Sequence, residues 1–137
     1  MTVETFPDVE GAMRTWLRAQ PAIAAHVASR VFLGVPDTTT YPLITITRIG
    51  GVEDRSDAPI DQAALRFTVW GQLRDRKGCT DCYRALRGVL HSMAGPTPLD
   101  ANTRGFGATI DSVLYLPDPA DNRPRYIIHS RITAISI

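Results

Sequence analysis

The sequence predicts an α+β fold, a small α/β sandwich in which a mainly antiparallel sheet of four or five strands carries helices on one face. Three observations predict it. Two helical patterns precede three strand patterns, one longer helical pattern separates these from two final strand patterns, and the strands alternate apolar with polar residues. Such alternation is typical of a sheet that is covered on one side only. The predicted order of elements is therefore α-α-β-β-β-α-β-β.

Each predicted helix has a recognisable start. The first begins after Asp8, because an aspartate at this position accepts a hydrogen bond from the first turn, and apolar residues then recur at helical spacing. Pro21 suits the first turn of a second, short helix over residues 21–29, since its fixed φ matches the helix. The third helix is predicted from an Asp75 cap to about Ala94.

Five segments rich in branched and aromatic residues are the predicted strands, at residues 30–35, 42–49, 63–71, 106–117 and 125–137. Between the second and third lies GGVEDRSDAPID, whose glycines, proline and acids predict an extended loop, and loops of this length are often functional. The segment AGPTPLDANTRG, after the third helix, is predicted to be a turn-rich connector because it contains glycine and two prolines.

Length and charge limit the classes of function. A chain of 137 residues is long enough for one domain with one core, so we expect a single domain over residues 1–137. Fifteen lysines and arginines against 14 acids give a formal net charge of +1, which argues against specific nucleic-acid binding. No unbroken apolar stretch indicates a secretory signal or a membrane span, so we expect a soluble protein with no membrane partner.

Two cysteines, Cys79 and Cys82, are spaced as in thiol oxidoreductases. A zinc site needs about four ligands, the chain has no second cysteine pair, and His91 falls on about the opposite side of the helix. Both cysteines continue an apolar stripe at helical spacing, so packing in the core is the favoured interpretation. The alternative, a reactive thiol, depends on Gly78 delaying the start of the helix and bringing Cys79 close to its N-terminus.

No other pattern indicates chemistry. The three histidines share no metal-binding spacing, the serines lack a nucleophile elbow, and no glycine-rich phosphate loop precedes a helix, so we expect no cofactor and no metal. Arginine and tryptophan on the polar face of the sheet, and acids in the loops, are instead candidates for contact with other proteins. The residues that we assign to an interface, as a hypothesis, are Glu53, Asp54, Arg55, Asp57, Arg66, Trp70, Asp118, Asp121, Arg123 and Arg131.

Four segments carry a resemblance to a known family. They are MRTWLRAQPAIAAHVASRVFLGV, YPLITITRIGG, LRFTVWG followed by YRALRGVLHSM, and LYLPDPADNRPRYIIHSRITA, in this order over nearly the whole chain. The sequence resembles the tail terminator proteins of long-tailed, siphovirus-type bacteriophages, also called tail completion or tail-to-head joining proteins, and those of actinobacterial phages in particular.

The resemblance implies a structural protein and no enzyme. Proteins of this family form a sixfold ring that caps the finished tail tube, stops tube polymerisation and offers a surface to the head connector. The resemblance also implies a homo-oligomer at the tail-neck junction of the virion, which assembles in the host cytoplasm. The implied partners are the tail tube protein and a head-tail connector protein. DNA passes through the lumen of such a ring without sequence-specific binding. A head-closure or connector adaptor of the neck is the nearest alternative, and a small thiol oxidoreductase using Cys79 and Cys82 is the alternative from another class.

Overall fold

The computed structural model describes residues 5–51 and 59–137, which form three helices and one six-stranded sheet. The elements in chain order are α1 (Val9–Arg18), α2 (Pro21–Val27), β1 (Val31–Phe32), β2 (Leu43–Gly51), β3 (Ile60–Trp70), α3 (Arg76–His91), β4 (Ala94–Pro98), β5 (Thr103–Tyr115) and β6 (Arg125–Ser136). The predicted α+β class is confirmed. The order of elements agrees with the prediction apart from one added strand, β4, so the sheet is larger than expected.

Local chemistry sets the starts of the helices. The Asp8 side chain accepts a hydrogen bond from the Gly11 N–H at 3.2 Å, and Asp75 accepts one from the Gly78 N–H at 2.9 Å. Each carboxylate thereby satisfies a backbone donor that has no partner within its helix. The helix α2 has proline at its first position and ends at Val27, two residues earlier than predicted.

The strands lie in the order β1-β2-β3-β6-β5-β4. The strand β1 is parallel to β2, and every other neighbouring pair is antiparallel, so the sheet is mixed. The strands β3 and β6 occupy the centre and remain in register along the whole of β3. Only Val31 and Phe32 of the predicted first strand pair with β2, because the chain then leaves the sheet to reach the start of β2.

The segment predicted as a connector contains a strand. Ala94–Pro98 forms β4, which pairs irregularly with β5 at the edge of the sheet. Prolines are tolerated there because an edge strand needs only half of its backbone groups for pairing. The sequence therefore predicted a connector after α3, but it did not predict that this connector contains a strand.

The core lies between the three helices and one face of the sheet. All three helices contribute apolar side chains to it, as do β1, β2, β3 and β6. Its largest fully buried members include Phe67, Met13, Leu17, Ile23, Leu86 and Ile128. Within the described parts of the chain, no helix combines the length and apolar composition that crossing a bilayer requires.

Candidate functional site

The helices leave the other face of the sheet uncovered, and we call it the open sheet face. Its charged and aromatic members come from β3, β5 and β6. They are Arg66, Trp70, Asp111, Arg125, His129 and Arg131. Alternation along each strand brings them to one side, because the residues between them point into the core. The sequence analysis had assigned three of these residues, Arg66, Trp70 and Arg131, to an interface.

Two contacts hold the arginines at the centre of this face. Arg66 lies directly opposite His129, and its Nε donates a hydrogen bond to the His129 Nε2 at 3.3 Å. The Nε and the Nη2 of Arg131 each donate a hydrogen bond to the Asp111 carboxylate, and each bond is 3.0 Å long. This hydrogen bonding raises the pKa of the Arg131 guanidinium. The two guanidiniums are therefore oriented by partners on the same surface.

Trp70 lies at one end of the open sheet face and is half-buried. Its Nε1 donates a hydrogen bond to the Thr45 hydroxyl at 3.0 Å, and the Arg125 guanidinium lies 5.0 Å from the centre of its ring. Leu43, directly opposite Trp70 in the register, is fully buried although it lies outside the main core. Only part of the Trp70 side chain is therefore accessible on this face.

A second cluster lies where β3 and β5 end and β6 begins. We call residues 71–75 and 116–124 the loop end of the sheet. Asp118 accepts a hydrogen bond from the Ala120 N–H, and Asp121 accepts from the Arg123 N–H and also pairs with its side chain at 3.3 Å. The Arg123 guanidinium stacks 3.7 Å from the centre of the Tyr41 ring and donates to the Gly71 carbonyl. These three predicted interface residues therefore shape the loop itself.

A cleft of about 680 Å³ opens beside the loop end. It is lined by Leu73, Arg74, Arg76, Tyr115, Asp121, Asn122 and Pro124. The Arg76 guanidinium lies 4.1 Å from the centre of the Tyr115 ring. Among residues 5–51 and 59–137, neither Arg74 nor Arg76 has a carboxylate within ion-pair distance. The cleft therefore offers two guanidiniums and one carboxylate beside apolar surface.

The remaining predicted interface residues, Glu53, Asp54, Arg55 and Asp57, lie outside the described residues. The interface role of every assigned residue stays a prediction. Sequence reasoning missed Arg125, although its alternation with His129 and Arg131 on the last strand was a usable signal. It also missed Asp111, which occupies a bulge between Ile110 and Ser112 that shifts the register of β5, and periodicity alone does not locate such a bulge.

Cys79 and Cys82 are 1% and 0% exposed and belong to the core. The helix α3 begins at Arg76, so Gly78 does not delay its start. The Cys79 thiol faces the Val69 carbonyl at 3.7 Å, and burial raises the pKa of Cys79 to about 11 and that of Cys82 to about 12. Thiols of this kind are protonated at neutral pH and are poor nucleophiles. Among the described residues, no cluster of three or more His, Cys, Asp or Glu side chains is arranged to hold a metal ion.

Comparison with known proteins gives two matches of interest. The sequence model of the family described as tail completion protein gp17 matches residues 11–129. Among solved structures, the virion of a native gene transfer agent particle contains a chain of the same fold, with a TM-score of 0.66 and 16% sequence identity over 95% of this chain and 98% of that chain. No curated protein sequence matches the chain.

Proposed function

Because the chain belongs to the tail completion protein gp17 family, we propose that it caps the completed tail tube of a long-tailed bacteriophage as a homo-oligomeric ring. The family is one of structural phage proteins, and the chain accordingly has a structural role in tail completion. The finer role is that the ring stops the addition of tube subunits and gives the head connector a joining surface. We propose that six copies form this ring at the tail-neck junction and that they assemble in the host cytoplasm.

The observation that carries the proposal is that the two ends of the sheet are different. At one end lie the loop end and its cleft, where Arg74 and Arg76 stand beside Asp121, and at the other lie the end of β2 and the start of β3, where Arg48 pairs with Asp61. The 11 residues of β3 separate these ends by about 35 Å. A protein that joins two structures needs two unlike axial surfaces, and this arrangement supplies them.

The cleft fits a protein partner better than a small molecule. It is open, and it combines the unpaired guanidiniums of Arg74 and Arg76 with the exposed side chain of Leu73. A partner loop with carboxylates on either side of an apolar side chain would match both features. We propose that such a loop of the tube protein or of the head connector docks here.

The open sheet face is compatible with a lumen through which DNA passes. Arg66, Arg125 and Arg131 are each held by a contact within the chain, so they are less free to follow a phosphate backbone than unpaired side chains would be. The formal net charge of +1 also keeps non-specific attraction to DNA weak. We therefore propose passage of DNA without sequence-specific binding.

The variant Arg74→Glu/Arg76→Glu tests the docking role of the cleft. We expect it to weaken binding to tail tubes or to connector rings by at least about tenfold, because it places like charges opposite the partner carboxylates. Co-sedimentation with purified tubes and, separately, with connector rings measures this binding. The control is Arg84→Glu, which reverses an exposed charge further along α3.

The structure to which the cleft variant no longer binds, tail tube or connector ring, identifies the partner that docks in the cleft. Binding of the wild-type protein to connector rings but never to tubes would favour a head-closure adaptor instead. Unchanged binding of the cleft variant to both partners would contradict the docking role of the cleft. A thiol oxidoreductase is disfavoured by the burial and raised pKa of both cysteines.

A further inference from the structure

Both sides of the sheet have a stretch of strand without a neighbour among the described residues. On one side, β4 pairs with β5 only between Arg104 and Gly107, which leaves residues 108–115 of β5 without an outer partner. On the other side, β1 pairs only with Ile44 and Thr45 of β2, which leaves residues 46–51 of β2 without an outer partner among the described residues. We call these stretches the β5 edge and the β2 edge. Each carries a row of backbone N–H and C=O groups available for pairing.

The register places the two edges at the same height in the sheet. Gly51 lies in one cross-strand row with Ala63, Ile132 and Ala108. Ile46 lies in another row, with Phe67, Ile128 and Val113. The whole β2 edge therefore spans the same rows as residues 108–113 of the β5 edge.

The directions of the strands also match. Each of the three junctions from β2 through β3 and β6 to β5 is antiparallel, so β2 and β5 run in opposite directions. Copies related by rotation about an axis along the strands keep these directions. The β5 edge of one copy then lies antiparallel to the β2 edge of the next, which is the geometry of every long junction inside the sheet.

Neither edge carries the residues that usually prevent such pairing. Edge strands are commonly protected by lysine or proline, and neither residue type occurs in residues 46–51 or 108–115. The charged side chains there, Arg48 and Asp111, are already paired with Asp61 and Arg131. Large apolar side chains are exposed instead, with Leu114 on the β5 edge 53% accessible and Ile49 on the β2 edge 46% accessible.

Both edges contain a bulge, which limits how much of each can pair. The β2 bulge lies between Arg48 and Gly50, and the β5 bulge lies between Ile110 and Ser112. Regular strand remains at Ile46–Arg48 and from Ser112 to Tyr115.

We propose that the β5 edge of one copy pairs with the β2 edge of the next copy, so that the sheets continue from subunit to subunit around the ring. This inference rests on the proposed ring and names the contact that closes it. The two edges are different surfaces, so the interface is heterologous, and repetition of a heterologous contact generates a closed ring when the rotation permits. Backbone hydrogen bonds hold the junction, and Ile49 loses exposed apolar surface there.

Cysteine cross-linking tests the pairing directly. Thr47 and Ser112 are exposed and lie in the same cross-strand row, through Arg66 and His129. We expect a Thr47→Cys/Ser112→Cys variant treated with a short bis-maleimide to give a ladder of covalent oligomers up to the closed ring. The native thiols do not compete, because both are buried and protonated at neutral pH. Each single-cysteine variant is the matched control and should stay monomeric on a denaturing gel.

Two outcomes of this experiment would overturn the proposal. Covalent dimers from Ser112→Cys alone would indicate that β5 edges pair with each other. Absence of a ladder from the double variant, while native mass spectrometry of the same sample records the ring, would place the subunit contact elsewhere and leave the capping function untouched.

A charge on the edge provides an independent readout. The variant Ser112→Lys adds a lysine to the β5 edge in the row of Thr47, and we expect it to weaken ring formation by at least about tenfold in sedimentation velocity. The control Ile137→Lys adds the same charge at an exposed position that follows the central strand β6. Equal ring formation by both variants would contradict the edge contact, whereas a ring that forms normally but never binds tubes would contradict the proposed function alone.

Discussion

At the scale of the residue, burial decides what each polar or reactive group does. The pair of cysteines that suggested an enzyme lies in the core, where the thiols pack against β3 and the helices. Their helical spacing with Leu86 and Leu90 was visible in the sequence and favoured this location. The partners of Arg131 and Trp70 were not visible, because Asp111 and Thr45 are distant along the chain and come close only through strand pairing.

The raised cysteine pKa values predict a pH dependence of stability. In the unfolded chain these thiols titrate near pH 9, whereas in the native state they remain protonated until about pH 11 and 12. Above pH 9 the unfolded state therefore holds fewer protons than the native state, and the free energy of unfolding falls as the pH rises. Below pH 9 both states hold the protons, and this contribution does not vary with pH.

Urea denaturation between pH 7 and pH 10.5 measures this effect. We expect the wild-type protein to lose stability more steeply above pH 9 than a Cys79→Ala/Cys82→Ala variant. The comparison of slopes, rather than of absolute stability, removes the cost of truncating two core side chains. Identical slopes would mean that the native thiols ionise as easily as the unfolded ones and are not buried in solution.

At the scale of the element, helix α3 and the loop before it depend on close packing. Gly71, the first residue of the loop end, is buried against α3, and a Cβ atom built there would lie 2.7 Å from the Cys79 Cβ and 3.1 Å from its sulfur. The sequence predicted the helix and its Asp75 cap, because both depend on neighbouring residues. It did not predict β4, because that strand depends on pairing with β5, which lies beyond a turn.

A pair of glycine variants tests this packing. We expect Gly71→Ala to lower the free energy of unfolding by about 1–3 kcal/mol, because the added methyl group overlaps the backbone-proximal atoms of Cys79. Gly88→Ala is the control, at a position within α3 where a Cβ atom meets nothing within 4 Å. It should raise stability by about 0.5–1 kcal/mol, because alanine favours the helix. Chemical denaturation of both variants checks the prediction, and a harmless Gly71→Ala would contradict the contact.

At the scale of the whole molecule, one sheet carries three different kinds of surface. Its two ends carry different side chains, its two edges are at the same height, and its open face holds oriented arginines. The sequence predicted the fold class and the open face, since both follow from periodicity along each strand. The sequence could not predict that the two edges match, because the match depends on the register of five strand pairings and on two bulges.

These surfaces fit the family to which the chain belongs, whose proteins complete phage tails. Unlike ends suit two different axial partners, and complementary edges suit a ring of identical subunits. The proposed assembly thus uses the ends of the strands for joining and their edges for closure.

Electron microscopy of tail tubes assembled with and without the purified protein tests the central claim most directly. The account predicts a ring of density at one end of each tube and an end to further growth when fresh tube subunits are added. Tubes that continue to grow at the same rate, with no added density at either end, would contradict it.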